Sequence, residues 1–499
     1  MPKSTFTEAD ARDTQALLKT AFDSLACTLL LLRIEDAAVA RAWLRSHINS
    51  VASVQQIGRD KPPVEHTLQM SLSAAGLRAL GHQAILDQCA SEFSTSLADA
   101  PDRLQRLGDI AENAPSNWAW GVAEREPHVL LMLFASKEQL AAFSTRMQES
   151  ALTAGLTIVQ RLDTSDMHGF EPFGFKDGIS QPGIDWDGTR DPGSDADMDY
   201  QNRITLGEFL LGYRNEYNLY TQRPLLPAQD SNAQSLPIAE DQPDRRDLGR
   251  NGSYLVLRQL QQDVNGFWRW VYGQAAGDAA AATAQAQAMV GRQISGEPLH
   301  GVDAQKSDQP ANDFTFTHDR AGQVCPIGAH IRRANPRSGD YPDGRTGRVE
   351  KLLTLLGLRG SAEDDRIASS RFHRLIRRGR EYGSALPPAQ AAQATDNGSE
   401  TGLHFICLNA NLARQFEFIQ GAWLANAKFA GLSNEQDPLL GNRQPFPGNQ
   451  PTDRFTRPQA AGPGLVSANL PPFITVRGGA YFLLPGLRAL AWLLADPPN

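Results

Sequence analysis

Apolar residues along this chain fall into two kinds of run: continuous stretches, and stretches in which they recur every three or four positions. "ACTLLLLRI" (26–34) is continuous and predicts a strand. "EDAAVARAWLRSHI" (35–48) follows with helical spacing. "HVLLMLFA" (128–135) and "SKEQLAAFSTRMQES" repeat that order, with Ser136 as expected N-cap and Gln139 three residues on. In the second half, "GSYLVLRQL" (252–260) predicts a strand leading into a partly helical stretch. "LHFICLNA" (403–410) leads into "NLARQFEFIQGAWLANAKF", with Leu412, Phe416, Ile419 and Trp423 at helical spacing. "FITVRGGAYFLL" (473–484) predicts final strands broken by a Gly-Gly pair.

Each half therefore offers two strand–helix units plus extra strands. That pattern predicts two related α+β domains, each a sheet with helices on one face. Between them, residues 214–250 are rich in Pro, Asp, Gln and Arg and read as a linker or surface excursion. The Ala-rich stretch 275–291 reads as a helix and 387–402 as a loop.

With 499 residues the chain can bury a large core in two or more domains. Its net charge of −8 argues against a nucleic-acid binder. The start, "MPKSTFTEADARDTQALL", has early acids, no twin arginine and no apolar core, so no export signal is expected. The longest apolar run, near "CTLLLL", is too short to span a bilayer, so no membrane partner is expected. Cys27, Cys89, Cys325 and Cys407 show no CxxC spacing, and a cytoplasmic location follows as the default.

Three stretches carry candidate chemistry. "GFKDGISQPGI" (174–184) sets one acid, Asp177, among glycines; Asp-Gly alone is an ordinary turn dipeptide. "CPIGAHIRRANPR" (325–337) places His330 before a basic run. A structural histidine and a zinc site begun by Cys325 are the rival readings, but no matching Cys/His pair follows. A neutral imidazole beside arginines also suits a haem iron with cations for the propionates. "RFHRLIRRGREYG" (371–383) belongs to a segment, 330–380, with twelve Arg and one Lys against six acids. A solvated basic face or an anion site fits it; few aromatics are present to stack on bases. His168 reads as a loop residue, and "GRNGSY" (249–254) lacks the Lys-Ser/Thr ending of a phosphate loop.

Taken together and in order, these stretches resemble the dye-decolorizing peroxidases, a haem family. "FGFKDGISQPGI" matches the family's GxxDG signature, "CPIGAHIRRANPR" its proximal-histidine segment and "LIRRGREYG" its distal-arginine segment. "GLHFICLNANLARQFEFIQGAW" and "FITVRGGAYFLLPG" are similar to its closing elements. The matches run from about residue 120 to the C-terminus; the first hundred residues match only in strand–helix pattern.

The resemblance implies duplicated ferredoxin-like α+β domains with antiparallel sheets, and haem b held mainly by the C-terminal one. The expected division is 1–213, carrying the GxxDG motif, then 214–250, then 251–499. His330 would be the iron ligand, Asp177 the distal acid–base residue and Arg377, rather than Arg378, the distal arginine. Leu403 and Phe405 would line the distal pocket, with Arg332, Gly178 and Ser180 also at the cofactor. The implied partners are hydrogen peroxide and bulky aromatic reductants, with a homo-oligomer left open. Tyr341 and Tyr382 lie near the motifs as electron exits. The hydrogen-bond partner of His330 is undetermined among Asn411, Glu417 and Asp437. A protein that carries haem or removes its iron with little turnover is the alternative.

Overall fold

The structure, a computed structural model, describes residues 5–58, 60–61, 64–190, 202–299, 311–312, 314–316, 318–337, 356, 370–395, 398–445 and 449–496. Its N-terminal half runs β1 (Ala26–Ile34), α1 (Ala37–Ser46), β2 (His66–Leu72), β3 (Val129–Ala135), α2 (Lys137–Leu152) and β4 (Leu156–Asp163). The order in the sheet is β4–β1–β3–β2, all antiparallel. Its C-terminal half runs β5 (Ser253–Gln262), α3 (Val264–Gln274), α4 (Ala279–Val290), α5 (His330–Ala334), β6 (Ile376–Arg377), β7 (Arg380–Tyr382), α6 (Pro388–Gln393), β8 (Gly402–Asn409) and β9 (Ile474–Leu484). Strands β6 and β7 both pair with β8, and the order continues β8–β5–β9. Each half is thus a ferredoxin-like α+β unit. The two join where β9 meets β2 at the pair Leu483 and Leu72.

The continuous apolar runs are strands because both faces of the sheet are covered. Leu30 and Leu32 of β1 enter one core with Leu131 and Leu133 of β3. Leu29 and Leu31 enter the opposite core with Leu130, Met132 and Phe134. Alternate side chains point to opposite faces, so two-sided burial demands an unbroken apolar run. Each fully buried Leu adds about 1.5–3 kcal/mol. Helices α1 and α2 pack on the first face through Ala40, Leu44, Met147 and Ala151.

Several details depart from the sequence reading. Ser136 precedes α2 but makes no capping hydrogen bond with its side chain. The 387–402 stretch contains the short helix α6, begun by a proline in its first turn. The helical segment after β8 winds as two wide π-helical turns, Ala413–Glu417 and Ile419–Leu424. Residues 214–250 are packed: Leu226, Ala233, Leu236 and Leu248 join the main core, and Arg223 pairs with Asp247 at 2.6 Å.

The Gly-Gly pair does not break β9 but shifts its register between Val476 and Gly478. An extra residue reverses which face each side chain meets. Val476 and Tyr481 consequently enter the same core, although their numbers differ in parity. A Cβ on Gly478 would stand 2.5 Å from the ring of Trp120, whose Nε1 donates to Gln259 at 2.8 Å. The glycine is what lets the indole close over the bulge.

Candidate active site

The C-terminal half of the sheet walls a cavity. Arg258 and Leu260 on β5 face it, as do Leu403 and Phe405 on β8. Each pair is spaced by two, hence on one face, and the register sets Leu403 beside Leu260 and Phe405 beside Arg258. Phe416, Ile419 and Leu424 from the π-helical turns also line it. His330 opens α5 at the cavity edge, and Ser180 also lines it.

Asp177 arrives on a loop from the N-terminal half. Gly174 and Gly178 have φ of +95° and +78°, and a Cβ on either would meet nothing within 4 Å, so backbone conformation, not crowding, calls for glycine. Glu171 staples the loop by accepting from the amides of Phe173 (3.1 Å) and Phe175 (3.0 Å) and from Gln262 Nε2 (2.9 Å). Gln181 ties it to β6: its Nε2 donates to the Arg377 carbonyl (2.9 Å), and its Oε1 accepts from the Arg377 amide (3.0 Å). Arg377 Nη1 then donates to Asp177 Oδ1 at 2.9 Å. Arg378 turns the other way, its Nε and Nη2 each 2.6 Å from the carbonyls of Leu17 and Leu18.

A second, more polar groove adjoins the cavity and shares with it Lys176, Asp177, Ile179, Arg377, Leu403 and Phe405. Gly178 lines the groove rather than the cavity. Asp177 and Arg377 therefore stand where the groove and the cavity meet. Burial alone would raise the Asp177 carboxyl; the charge of Arg377, the Gly178 amide and the Arg377 hydrogen bond outweigh it, and the net shift is downward.

His330 Nδ1 lies 3.0 Å from Asp437 Oδ2. Asp437 Oδ1 accepts from the amides of Leu439 (2.9 Å) and Leu440 (2.8 Å). Burial raises the Asp437 carboxyl, but His330 beside it wins, and it is held below the ordinary range. An ionised carboxylate only accepts, so Nδ1 carries a hydrogen, and in the neutral imidazole Nε2 keeps its lone pair. His330 is itself pushed down by burial, and Asp437 reverses that to a net rise. Neither Asn411 nor Glu417 fills this role: Asn411 caps the π-helical turn through Arg414 N, and Glu417 pairs with Arg103 at 3.1 Å.

Arg332 is a correction to the sequence reading: it does not line the cavity. Its Nη1 is 3.2 Å from Asp319 Oδ2 and 2.6 Å from the Cys325 carbonyl. Arg333 is wholly buried and donates to the carbonyls of Trp423, Asn426 and Glu435. The pair anchors the short helix α5 from two sides and so fixes His330. His168 is an exposed loop residue beside Asp166. Tyr382 is buried, donating to Glu400 Oε1 at 2.9 Å and stacked on His404. Tyr341 and residues 338–355 of the basic segment lie outside the described residues. All four cysteines are buried free thiols. Among the described residues no cluster of three His, Cys, Asp or Glu could hold a metal ion, and no helix is long and apolar enough to cross a membrane.

Known proteins resemble this chain in sequence and in fold. Peroxidase 2 of Mycetinis scorodonius is 28% identical over 490 residues, covering 92% of this chain and 82% of the relative. The multifunctional dye peroxidase DyP2 of an Amycolatopsis species is 28% identical over 498 residues, covering 93% and 91%. The chain is a homologue of the dye-decolorizing peroxidases. The fold of this peroxidase matches the crystal structure of a fungal DyP-type peroxidase from Auricularia auricula-judae with a TM-score of 0.72 at 24% identity, over 99% of this chain and 100% of that one. A dye-decolorizing peroxidase engineered in its haem pocket matches with a TM-score of 0.71 at 26% identity, over 97% and 99%. No family model matches the chain.

Proposed function

We propose that this peroxidase binds haem b in the inner cavity, reduces hydrogen peroxide beside Asp177 and Arg377, and draws electrons from bulky aromatic compounds. The observation that carries the reading is that one largely apolar cavity is lined both by an Asp-supported imidazole and by an Arg-supported carboxylate. The donor set fits a haem. His330 offers Nε2 as a lone-pair donor, its other nitrogen is fixed by Asp437, and Leu403, Phe405 and Phe416 offer apolar contact to a flat ring.

Haem, when bound, supplies the redox chemistry at its iron. The chain handles the protons. The adjoining groove, which Asp177 also lines, gives peroxide a path to the carboxylate. The carboxylate accepts a proton from one peroxide oxygen and returns it to the other, which leaves as water. The guanidinium of Arg377 keeps Asp177 ionised between turnovers and offsets negative charge as the O–O bond breaks. Asp437 keeps the hydrogen on Nδ1 of His330 and increases the basicity of Nε2.

Rapid mixing of haem-loaded protein with millimolar peroxide tests the reading. The ferric spectrum of the wild type is expected to change within the first turnover. Asp177→Asn is expected to retain haem and react about 10²–10⁴-fold more slowly, the range of general acid–base catalysis. An unchanged wild-type spectrum would exclude peroxidase chemistry, and wild-type rates in the variant would exclude Asp177 from it.

A further inference from the structure

Arg292 follows the helix α4 and lies on the cavity wall. Gly291 ends that helix with φ +95°, and a Cβ there would stand 2.5 Å from Ile331. The wall bearing Arg292 is thereby docked against α5, the helix that begins with His330. Arg292 is 4% exposed. Its Nη1 donates to the carbonyls of Gly296 (2.7 Å) and Ala311 (2.8 Å), while Nη2 is buried without a hydrogen-bond partner. Asn335, which ends α5, lines the same cavity, and both its Oδ1 and Nδ2 are buried without partners.

A buried guanidinium nitrogen with no acceptor is destabilising, and more so when the surrounding charge is positive. Burial pushes Arg292 down to about 10, and the largest charges acting on it are those of Arg337 and Arg377, both repulsive. At neutral pH it remains a cation. The three other arginines of the cavity wall are engaged: Arg258 faces Asp109, Arg377 faces Asp177, and Arg374 donates to Asn202 Oδ1 at 2.7 Å. Arg332 is engaged by Asp319 away from the cavity.

We propose that Arg292, together with the side-chain amide of Asn335, anchors a propionate carboxylate of the bound haem. A carboxylate only accepts hydrogen bonds, carries the opposite charge and suits a guanidinium that still has a donor to give. The assignment rests on the haem reading above and replaces Arg332 with a residue from outside the three sequence motifs.

The test times the release of haem, and separately of haem dimethyl ester, from the loaded protein to excess apomyoglobin. The wild type is expected to release the ester about tenfold faster than haem, as for the loss of one charged hydrogen bond. Arg292→Met is expected to release haem about tenfold faster than the wild type and to distinguish haem from ester far less; Arg292→Lys should fall between. Equal release of haem from wild type and Arg292→Met overturns the assignment. So does a wild type that holds ester and haem equally, a comparison that needs no variant to fold. A wild type that takes up neither porphyrin overturns the haem reading itself.

Discussion

Asp437 Oδ2 and His330 Nδ1 meet at 3.0 Å across 107 positions of sequence, with the carboxylate wholly buried. Two backbone amides hold the other carboxylate oxygen, so the acid cannot turn away from the ring. In Asp437→Asn, Oδ1 can keep both amides while Nδ2 presents a hydrogen to Nδ1. The imidazole would then carry its own hydrogen on Nε2 and lose its lone pair toward the cavity. Haem affinity and the rate with peroxide are expected to fall about 10–100-fold, read by Soret titration and stopped flow. Unchanged values of both would show that Asp437 does not set the tautomer.

Burial works to raise the carboxyl of Asp177, and Arg377, aided by the Gly178 amide, brings it down. Arg377→Met should therefore let burial raise it. A lowered acid group contributes stability and reactivity above its ordinary pKa, both lost as pH falls through the folded value. The acidic limb of kcat/KM for peroxide is expected below the ordinary aspartate range in the wild type and to move to higher pH in the variant. A limb that stays in place would assign it to another group.

Glu171 behaves with the opposite sign. Burial raises it to about 7 despite three N–H donors. A raised group stabilises the fold fully below its unfolded pKa, about 4.5, and that contribution fades as pH rises through 7. Glu171→Gln is expected to flatten the fall in Tm between those limits in a differential scanning series. An identical slope in both proteins would place the titration elsewhere.

Gly478→Ala sets a methyl against the Trp120 ring at 2.5 Å. Overpacking of this kind costs about 1–3 kcal/mol. The variant should melt several degrees lower, with haem binding retained; an unchanged Tm would mean that the bulge yields freely.

What the sequence disclosed follows from how each feature is encoded. Strands β1, β3, β5 and β8 were legible because burial on both faces leaves a contiguous apolar signature. Strand β4 was not: its "LTIVQRLD" pairs only with β1 at the sheet edge, and only Leu156 and Leu162 are buried. Asp177, His330 and Arg377 were visible through local motifs; the structure brings Asp177 and Arg377 into contact and sets His330 on the same cavity. Asp437 and Gln181 act through contacts 107 and 196 residues distant, which no local spacing records. Arg332 misled because a basic run shows charge but not direction; helix α5 points that guanidinium at Asp319. Arg292 sits beside an alanine-rich helix with no motif around it.

The two halves share one topology and divide the labour unequally. In the N-terminal half the helix-covered face of the sheet is filled by Leu30, Leu68, Met70 and Leu131. In the C-terminal half the sheet wall instead bounds the cavity through Leu260, Leu403 and Phe405. Yet the acid at that cavity descends from the filled half, on the loop beyond β4, and is secured across the divide by the Gln181 amide. One copy of the repeated unit opens its interior as a cavity, and the other keeps its interior filled and lends a single carboxylate. A C-terminal half by itself would retain His330, Arg292 and Arg377 while lacking the carboxylate of Asp177 that pairs with Arg377.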